Sequence, residues 1–511
     1  MPQVSLSAMD WVVVALYLVL TIGIALHVRL GQKSASDYFL AGRSMPWLVV
    51  SISLYATLFS TISFVAVPGE AFRNGTLMSL NSIGYAVFTP LAVFLFLRFF
   101  FQAGTFTCYE YLERRFNGTT RTLGSLVFLA TRAIYGATVF YAAAVIFEAL
   151  VGWDAMTTIV AVGAFAVAYT AIGGLRAVMI TDVLQTVVLL TGLVAVFVKL
   201  AALTGFDFSG VWGYAQAHDL TFGRTATAEF YSFDPHVRYT LWTCLALSIM
   251  NPLSGYGADQ LVVQRLLASK SYAAAKRAVW LKTIAVLPIM AAFYFAGLML
   301  FFHYGTKGAL PEGFEADQVM GFFINQHLPA PLPGLIAAAL LAALMSTVDS
   351  TVNSLSTVTC IDLLGRVGWM PQDDAAQVRL GKWLTLAWGV VVVGFAALLT
   401  RASQGVETTV MEVQAVWASL WGVLLVVMLA GVLTRWATAR AATWALLAGM
   451  ALNLSLPWVL YYGTPPEARI SFVWVGMPGA MVAAVVIVLF SLLDGGRAGV
   501  SSAARETISS G

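Results

Sequence analysis

Charge is what this sequence has least of. Of 511 residues only 10% are Asp, Glu, Lys or Arg, against 59% hydrophobic, too little charge to clothe several soluble domains. Cysteine is scarce too: Cys108, Cys244 and Cys360 stand at no paired or metal-like spacing, so they read as small apolar filler and no disulfide framework follows. The histidines are scattered, His27 near the end of the first apolar run and His218, His236, His303 and His327 in or near connecting segments, so no zinc site follows. No GxxxxGKS/T phosphate loop and no separate polar domain occur, which excludes built-in ATP chemistry. A net charge of +3 calls for no nucleic acid.

What is abundant is oil in runs of about twenty residues, the length that roughly 30 Å of hydrocarbon demands of a spanning helix. Thirteen such runs are expected, near 9–30, 46–69, 79–101, 121–151, 155–172, 177–203, 239–266, 276–304, 332–364, 379–400, 408–434, 441–462 and 471–493. The fold class is therefore all-α and polytopic, a single transmembrane domain over 1–493 with a flexible cytoplasmic tail over 494–511. Met9-Asp10-Trp11 has the character of an interfacial anchor, and the first run lacks a small-residue cleavage site, so it reads as a retained helix. Lys33, Arg43, Arg114, Arg115, Arg121, Arg176, Arg265 and Lys270 fall in loops on one side together with most other basic residues. By the positive-inside rule, that expects the N-terminus outside and the C-terminus in the cytoplasm of a bacterial-type inner membrane.

Within the ninth run, LLAALMSTVDSTVNSLSTVTCI (Leu340 to Ile361) interrupts the oil with hydroxyls. Steps of about 100° per residue put Ser346, Ser350, Asn353 and Thr357 on one helix face, with Thr347 and Ser354 beside them. Hydrocarbon cannot hydrate these oxygens, so they must face protein, a cavity or an ion. Small neutral oxygens suit a hard cation such as sodium. Two other runs read as broken helices. YATLFSTISFVAVPGEAF places Ser60, Thr61 and Ser63 ahead of an expected break at Pro68-Gly69, and SIMNPLSGYGADQ is expected to unwind around Asn251-Pro252, Gly255 and Gly257. Interrupted spans five apart imply a 5+5 inverted repeat, about 46–203 and 239–434, with 9–30, 441–462 and 471–493 peripheral and the site at the midplane.

Ionisable residues inside such a bundle need partners. Asp182 reads either as a buried ligand for a cation or hydroxyls, or as a carboxylate at a helix start paired with Arg176. Arg132 could greet a substrate carboxylate or pair with Glu148 or another helix carboxylate. Asp349 points about 60° from Ser346 and suits the inner exit path. Lys282 reads as an inner-interface lysine, and Gln414 as a hydrogen-bonding group for a solute. Energy must come from an ion gradient or from the solute itself. At 100 mV and a tenfold gradient, one sodium ion supplies roughly 3.7 kcal/mol.

YTAIGGLRAVMITDVLQ (Tyr169 to Gln185), YGADQLVVQR (Tyr256 to Arg265), LMSTVDSTVNSLST (Leu344 to Thr357) and the opening MDWVVVALYLVLTIGIALHVRL with SASDYFLAGRSMPW together resemble the sodium/solute symporter family over nearly the whole chain. The resemblance implies the LeuT-like fold. It also implies a sodium site made by the carbonyls of Ala56, Phe59 and Ala343 and the hydroxyls of Ser346 and Thr347. Some members hold a second sodium with the aspartate matching Asp182 and a serine where this chain has Ala343, so Asp182 stands as a possible second cation ligand lacking that serine. The sugar branch has a glutamate where this chain reads Ala86 and a glutamine where it reads Ser63, which argues against a hexose. The tyrosine-rich Tyr135 to Tyr141 segment and the Ser346-Thr347 pair are closer to the branch carrying monocarboxylates, vitamins and iodide. The sialic acid branch has an arginine at the position aligned with Tyr135, and Arg132 lies one turn away.

The expectation is a transporter and no enzyme: a sodium-coupled secondary symporter importing a small organic solute, a carboxylate or vitamin-like compound, by alternating access. Its partners are sodium, the solute and the lipid bilayer, without an ATPase subunit. Expected solute contacts are Ser60, Thr61, Ser63, Phe64, Tyr85, Tyr135, Gly255 and Gln414. The rivals are a proton-coupled carrier using Asp182 and a membrane solute sensor, the latter normally needing an output domain.

Overall fold

The structure, a computed structural model, describes residues 6–29, 32–59, 61–308, 310, 316–402, 420–457, 464 and 469–495. Helix occupies each of the thirteen expected runs among these residues. The elements that matter below are α1 Ala8–Val28, α2 Trp47–Leu58, α3 Thr61–Asn74, α4 Ser79–Ala92, α5 Gly118–Val151, α6 Ala155–Leu203, α7 Leu241–Gly257, α8 Gln260–Leu267, α9 Tyr272–Thr306, α10 Leu332–Val358, α11 Asp374–Ala402, α12 Leu420–Leu433, α13 Ala439–Pro457 and α14 Met477–Leu493. Among the described residues seven helices are long and apolar enough to cross a membrane. The shorter apolar helices include α2 and α14, which fits a bundle with interrupted spans.

Spans five and six are joined in α6, 49 residues long and bent at Gly174, where φ is +55° and ψ −167°. A side chain there would be strained by that φ and would set its Cβ 2.9 Å from the Tyr38 carbonyl oxygen, so glycine alone makes this corner.

The breaks lie elsewhere than at the prolines. α3 runs through Pro68-Gly69 to Asn74, and α7 runs through Pro252 to Gly257. The chain leaves helical geometry instead at Phe59 (φ −103°, ψ 100°) and at Asp259 (φ −96°, ψ 104°), nearly the same extended conformation in both halves. Packing explains why Pro68 does not end its helix: α9 lies so close that a Cβ at Gly297 would be 2.3 Å from the Pro68 carbonyl oxygen. Neighbouring helices hold such a helix together where proline alone would loosen it.

α10 is the axis of the molecule. In its most apolar window 94% of residues are buried, against 22% for α1 and α11, which face outward. It packs against α1, α2, α5, α6, α8 and α11. Its first turn is pinned to α1, where Asp10 accepts a hydrogen bond from the Gly334 N–H at 2.7 Å while closing a capping box with Ser7.

Candidate functional site

Phe59 ends α2, so the carbonyls of the last turn lose the partners a continuing helix would supply. The Ala56 oxygen lies 3.1 Å from Ser346 Oγ on α10. Ser346 Oγ is also 3.0 Å from the Ala343 carbonyl oxygen, and Thr347 Oγ1 is 3.1 Å from that same oxygen. A hydroxyl has one proton, so Ser346 serves one carbonyl at a time and the cluster holds more lone pairs than protons. All five residues, Ala56, Phe59, Ala343, Ser346 and Thr347, are no more than 5% exposed. A narrow crevice lined by Tyr55, Ala56, Phe59, Gln185, Ala343 and Ser346 opens beside them.

Below this cluster the hydroxyl band of α10 meets α8. Asp182 is fully buried, accepts from Ser53 Oγ at 2.5 Å and lies 3.5 Å from the guanidinium of Arg265. Arg265, equally buried, donates to Ser53, to the Leu261 carbonyl and to Ser350. The carboxylate thus faces Arg265 rather than Arg176, which is exposed. Gln264 Nε2 sits 3.0 Å from Asn353 Oδ1 and 2.8 Å from Thr357 Oγ1. Asp349 points to the other side and accepts from Thr170 at 2.6 Å.

A cavity of about 470 Å³ lies among α2, α3, α4, α5, α7, α9 and α12, within the usual size range of small-molecule sites. Ser63, Asn81, Ser82, Tyr85, Ser254 and Lys282 give it polar walls, and Leu247, Met250, Val286, Met290 and Trp421 give it apolar ones. Arg132 ion-pairs with Asp259, its Nε 3.3 Å from Oδ1, and its guanidinium carbon lies 4.0 Å from the Trp421 ring centroid and 4.8 Å from that of Tyr135. Tyr55 and Phe59 line both this cavity and the crevice at the oxygen cluster.

The family model for the sodium:solute symporter family matches residues 38–449. The chain belongs to the sodium:solute symporter family. It is 31% identical to the sodium-dependent multivitamin transporter of Oryctolagus cuniculus, over 87% of this chain and 70% of the relative. Identity to the human sodium/iodide cotransporter is 30%, over 91% and 71% of the two chains, and to human sodium-coupled monocarboxylate transporter 1 it is 28%, over 87% and 72%. Its fold superposes on a Na+-coupled sialic acid symporter in a substrate-bound outward-open state with a TM-score of 0.85 at 23% identity, covering 95% of this chain and 98% of that one. The protein is a multi-pass membrane transporter with a LeuT-like fold that moves a small solute together with sodium, and no enzyme.

The expected solute contacts divide. Ser63, Tyr85, Tyr135 and Gly255 line the symporter's cavity. Phe64 does not: it is fully buried, edge-on to Phe293 with centroids 5.5 Å apart, and so belongs to the packing behind the cavity. Ser60, Gln414 and the side chain of Thr61 fall outside the described residues. Lys282 corrects the expectation most. It is 3% exposed and reaches the cavity, with its ammonium 4.0 Å from the Tyr85 ring centroid, instead of lying at a membrane interface. The reason is direction: Lys282 shares a face of α9 with Val286 and Met290, and that face lines the cavity. Arg132 is answered by Asp259 and not by Glu148. Asp259 itself was missed: it lines the same cavity as Asn251 and Gly255 but lies past the end of α7 in extended geometry, where helix periodicity gives no signal.

Proposed function

We propose that the symporter holds one sodium ion between α2 and α10, on the carbonyls of Ala56, Phe59 and Ala343 and the hydroxyls of Ser346 and Thr347, and holds its solute in the adjoining cavity. The observation that carries this reading is the shared wall of Tyr55 and Phe59. An ion drawn to the proton-poor oxygens fixes the extended turn at Phe59, and that turn forms one face of the solute cavity. Sodium thereby favours the state that accepts solute, and by reciprocity the solute favours the state that holds sodium.

Asp182 takes no second ion in this reading. Arg265 supplies its positive charge, and Ala343 offers only a carbonyl where a further hydroxyl is needed. Arg265 and Gln264 hold α8 against the lower hydroxyl band, closing the inner path. Rocking of spans two, three, seven and eight against the rest parts these contacts and releases both cargoes inward. The solute belongs to the carboxylate or vitamin-like class, in line with the multivitamin and monocarboxylate transporters among the relatives. The charge asymmetry of the loops supports an inner-membrane location with the N-terminus outside and the C-terminus cytoplasmic.

The test is uptake into proteoliposomes under imposed gradients. Accumulation that follows the sodium gradient is expected; uptake that follows only a proton gradient and survives sodium removal would falsify the reading.

A further inference from the structure

Among the described residues lining the cavity three have ionisable acidic or basic side chains, Arg132, Asp259 and Lys282. Arg132 and Asp259 neutralise one another. The guanidinium is further covered by the rings of Trp421 and Tyr135. Lys282 is left with an aromatic face, Tyr85, and no carboxylate or hydrogen-bond acceptor among the described residues. A buried ammonium in a membrane protein is costly unless an anion meets it. The cavity therefore has one ammonium without a counter-charge, that of Lys282, and a body of Leu247, Met250, Val286, Met290 and Trp421.

Resting on the sodium–solute site proposed above, we propose that Lys282 is the anion receptor of this symporter and that the cargo is a small monocarboxylate with an apolar body. The carboxylate meets Lys282 and its carbon skeleton lies along the methionines and Trp421. A dianion would bring one charge too many, since Arg132 is already spoken for by Asp259. A neutral solute would leave the ammonium buried and unanswered, so the site discriminates against it.

The experiment uses the purified full-length chain and three pairs of probes: propionate and propionamide, benzoate and benzamide, nicotinate and nicotinamide. Thermal unfolding is followed with each probe in sodium chloride and in choline chloride. The expected result is that at least one carboxylate raises the unfolding midpoint in sodium while its amide does not. Lys282→Gln should weaken that carboxylate at least tenfold, and Lys282→Arg should keep the preference. The midpoint in sodium alone reports whether each variant is folded, and the wild-type comparison of acid with amide needs no variant. The proposal is overturned if no carboxylate stabilises the wild type, if amides do as well as acids, or if folded Lys282→Gln keeps the preference. Amide binding that needs sodium removes the role of Lys282 and leaves the coupled site standing. Carboxylate binding that ignores sodium removes the coupling and leaves Lys282.

Discussion

The Ser346 hydroxyl lies 3.1 Å from the carbonyl oxygen of Ala56, joining residues 290 positions apart in the chain. The contact exists because α2 stops at Phe59 and bares its last carbonyls beside a helix face that carries hydroxyls in place of oil. In the proposed ion site Ser346→Ala removes an ion-facing oxygen, and contacts to a charge are worth about 1.5–3 kcal/mol. The sodium concentration for half-maximal uptake should therefore rise roughly tenfold or more. Thr347→Ala should act in the same direction and Thr347→Ser should restore the wild-type value, with the amount of protein in the membrane measured alongside. An unchanged sodium dependence in both alanine variants removes these hydroxyls from the ion site.

Asp182→Asn leaves Arg265 buried without its counter-charge, which costs about 3–5 kcal/mol. The variant should lose thermal stability in detergent, and Asp182→Leu combined with Arg265→Met should be less damaged than either single change. A stable Asp182→Asn protein whose only defect is weakened sodium binding would instead make Asp182 an ion ligand.

Tyr55 lines both the crevice at the oxygen cluster and the neighbouring cavity, and its buried hydroxyl has no partner among the described residues. Tyr55→Leu should shift the half-saturating sodium concentration and the solute KM together, because the wall between them has changed. Two independent sites would show a change in one constant and not in the other.

If one sodium ion travels with one monocarboxylate, the loaded symporter carries no net charge across the membrane. Accumulation in proteoliposomes should then ignore a potassium diffusion potential set by valinomycin. A net translocated charge would feel about 2.3 kcal/mol per 100 mV, a roughly fifty-fold change in accumulation. Strong stimulation by an inside-negative potential points to a second sodium or to a neutral solute.

Length and oiliness made the helical spans legible, because hydrocarbon thickness dictates run length whatever the sequence does in detail. The hydroxyl face of α10 was legible for the same reason, since buried oxygens in oil must have company. The positions of the breaks were legible only in part. Pro68 and Pro252 looked like interruptions, yet both lie inside continuous helix; α7 does end at Gly257, one of the residues expected to unwind it, and Asp259 beyond it caps α8, while Phe59 has a side chain that announces nothing. Whether a proline opens a membrane helix depends on what packs against it, and that is a property of distant residues such as Gly297. Lys282 was misread because its position along a run says nothing of which face turns inward: with Val286 and Met290 it lies on the face of α9 that lines the cavity. The Arg132–Asp259 pair joins α5 to the break after α7, a meeting no local pattern could announce.

α10 is enclosed on nearly every side by protein, with almost no surface offered to lipid. A helix so enclosed has no room to tilt or slide by itself, and changes in bilayer thickness reach it only through its neighbours. In the proposed cycle it serves as a bearing: the proposed ion site lies on its surface, while the broken helices α2 and α8 turn against it. Each stroke of transport is then a change in how those short helices grip the same hydroxyl track, Ser346 above and Ser350, Asn353 and Thr357 below.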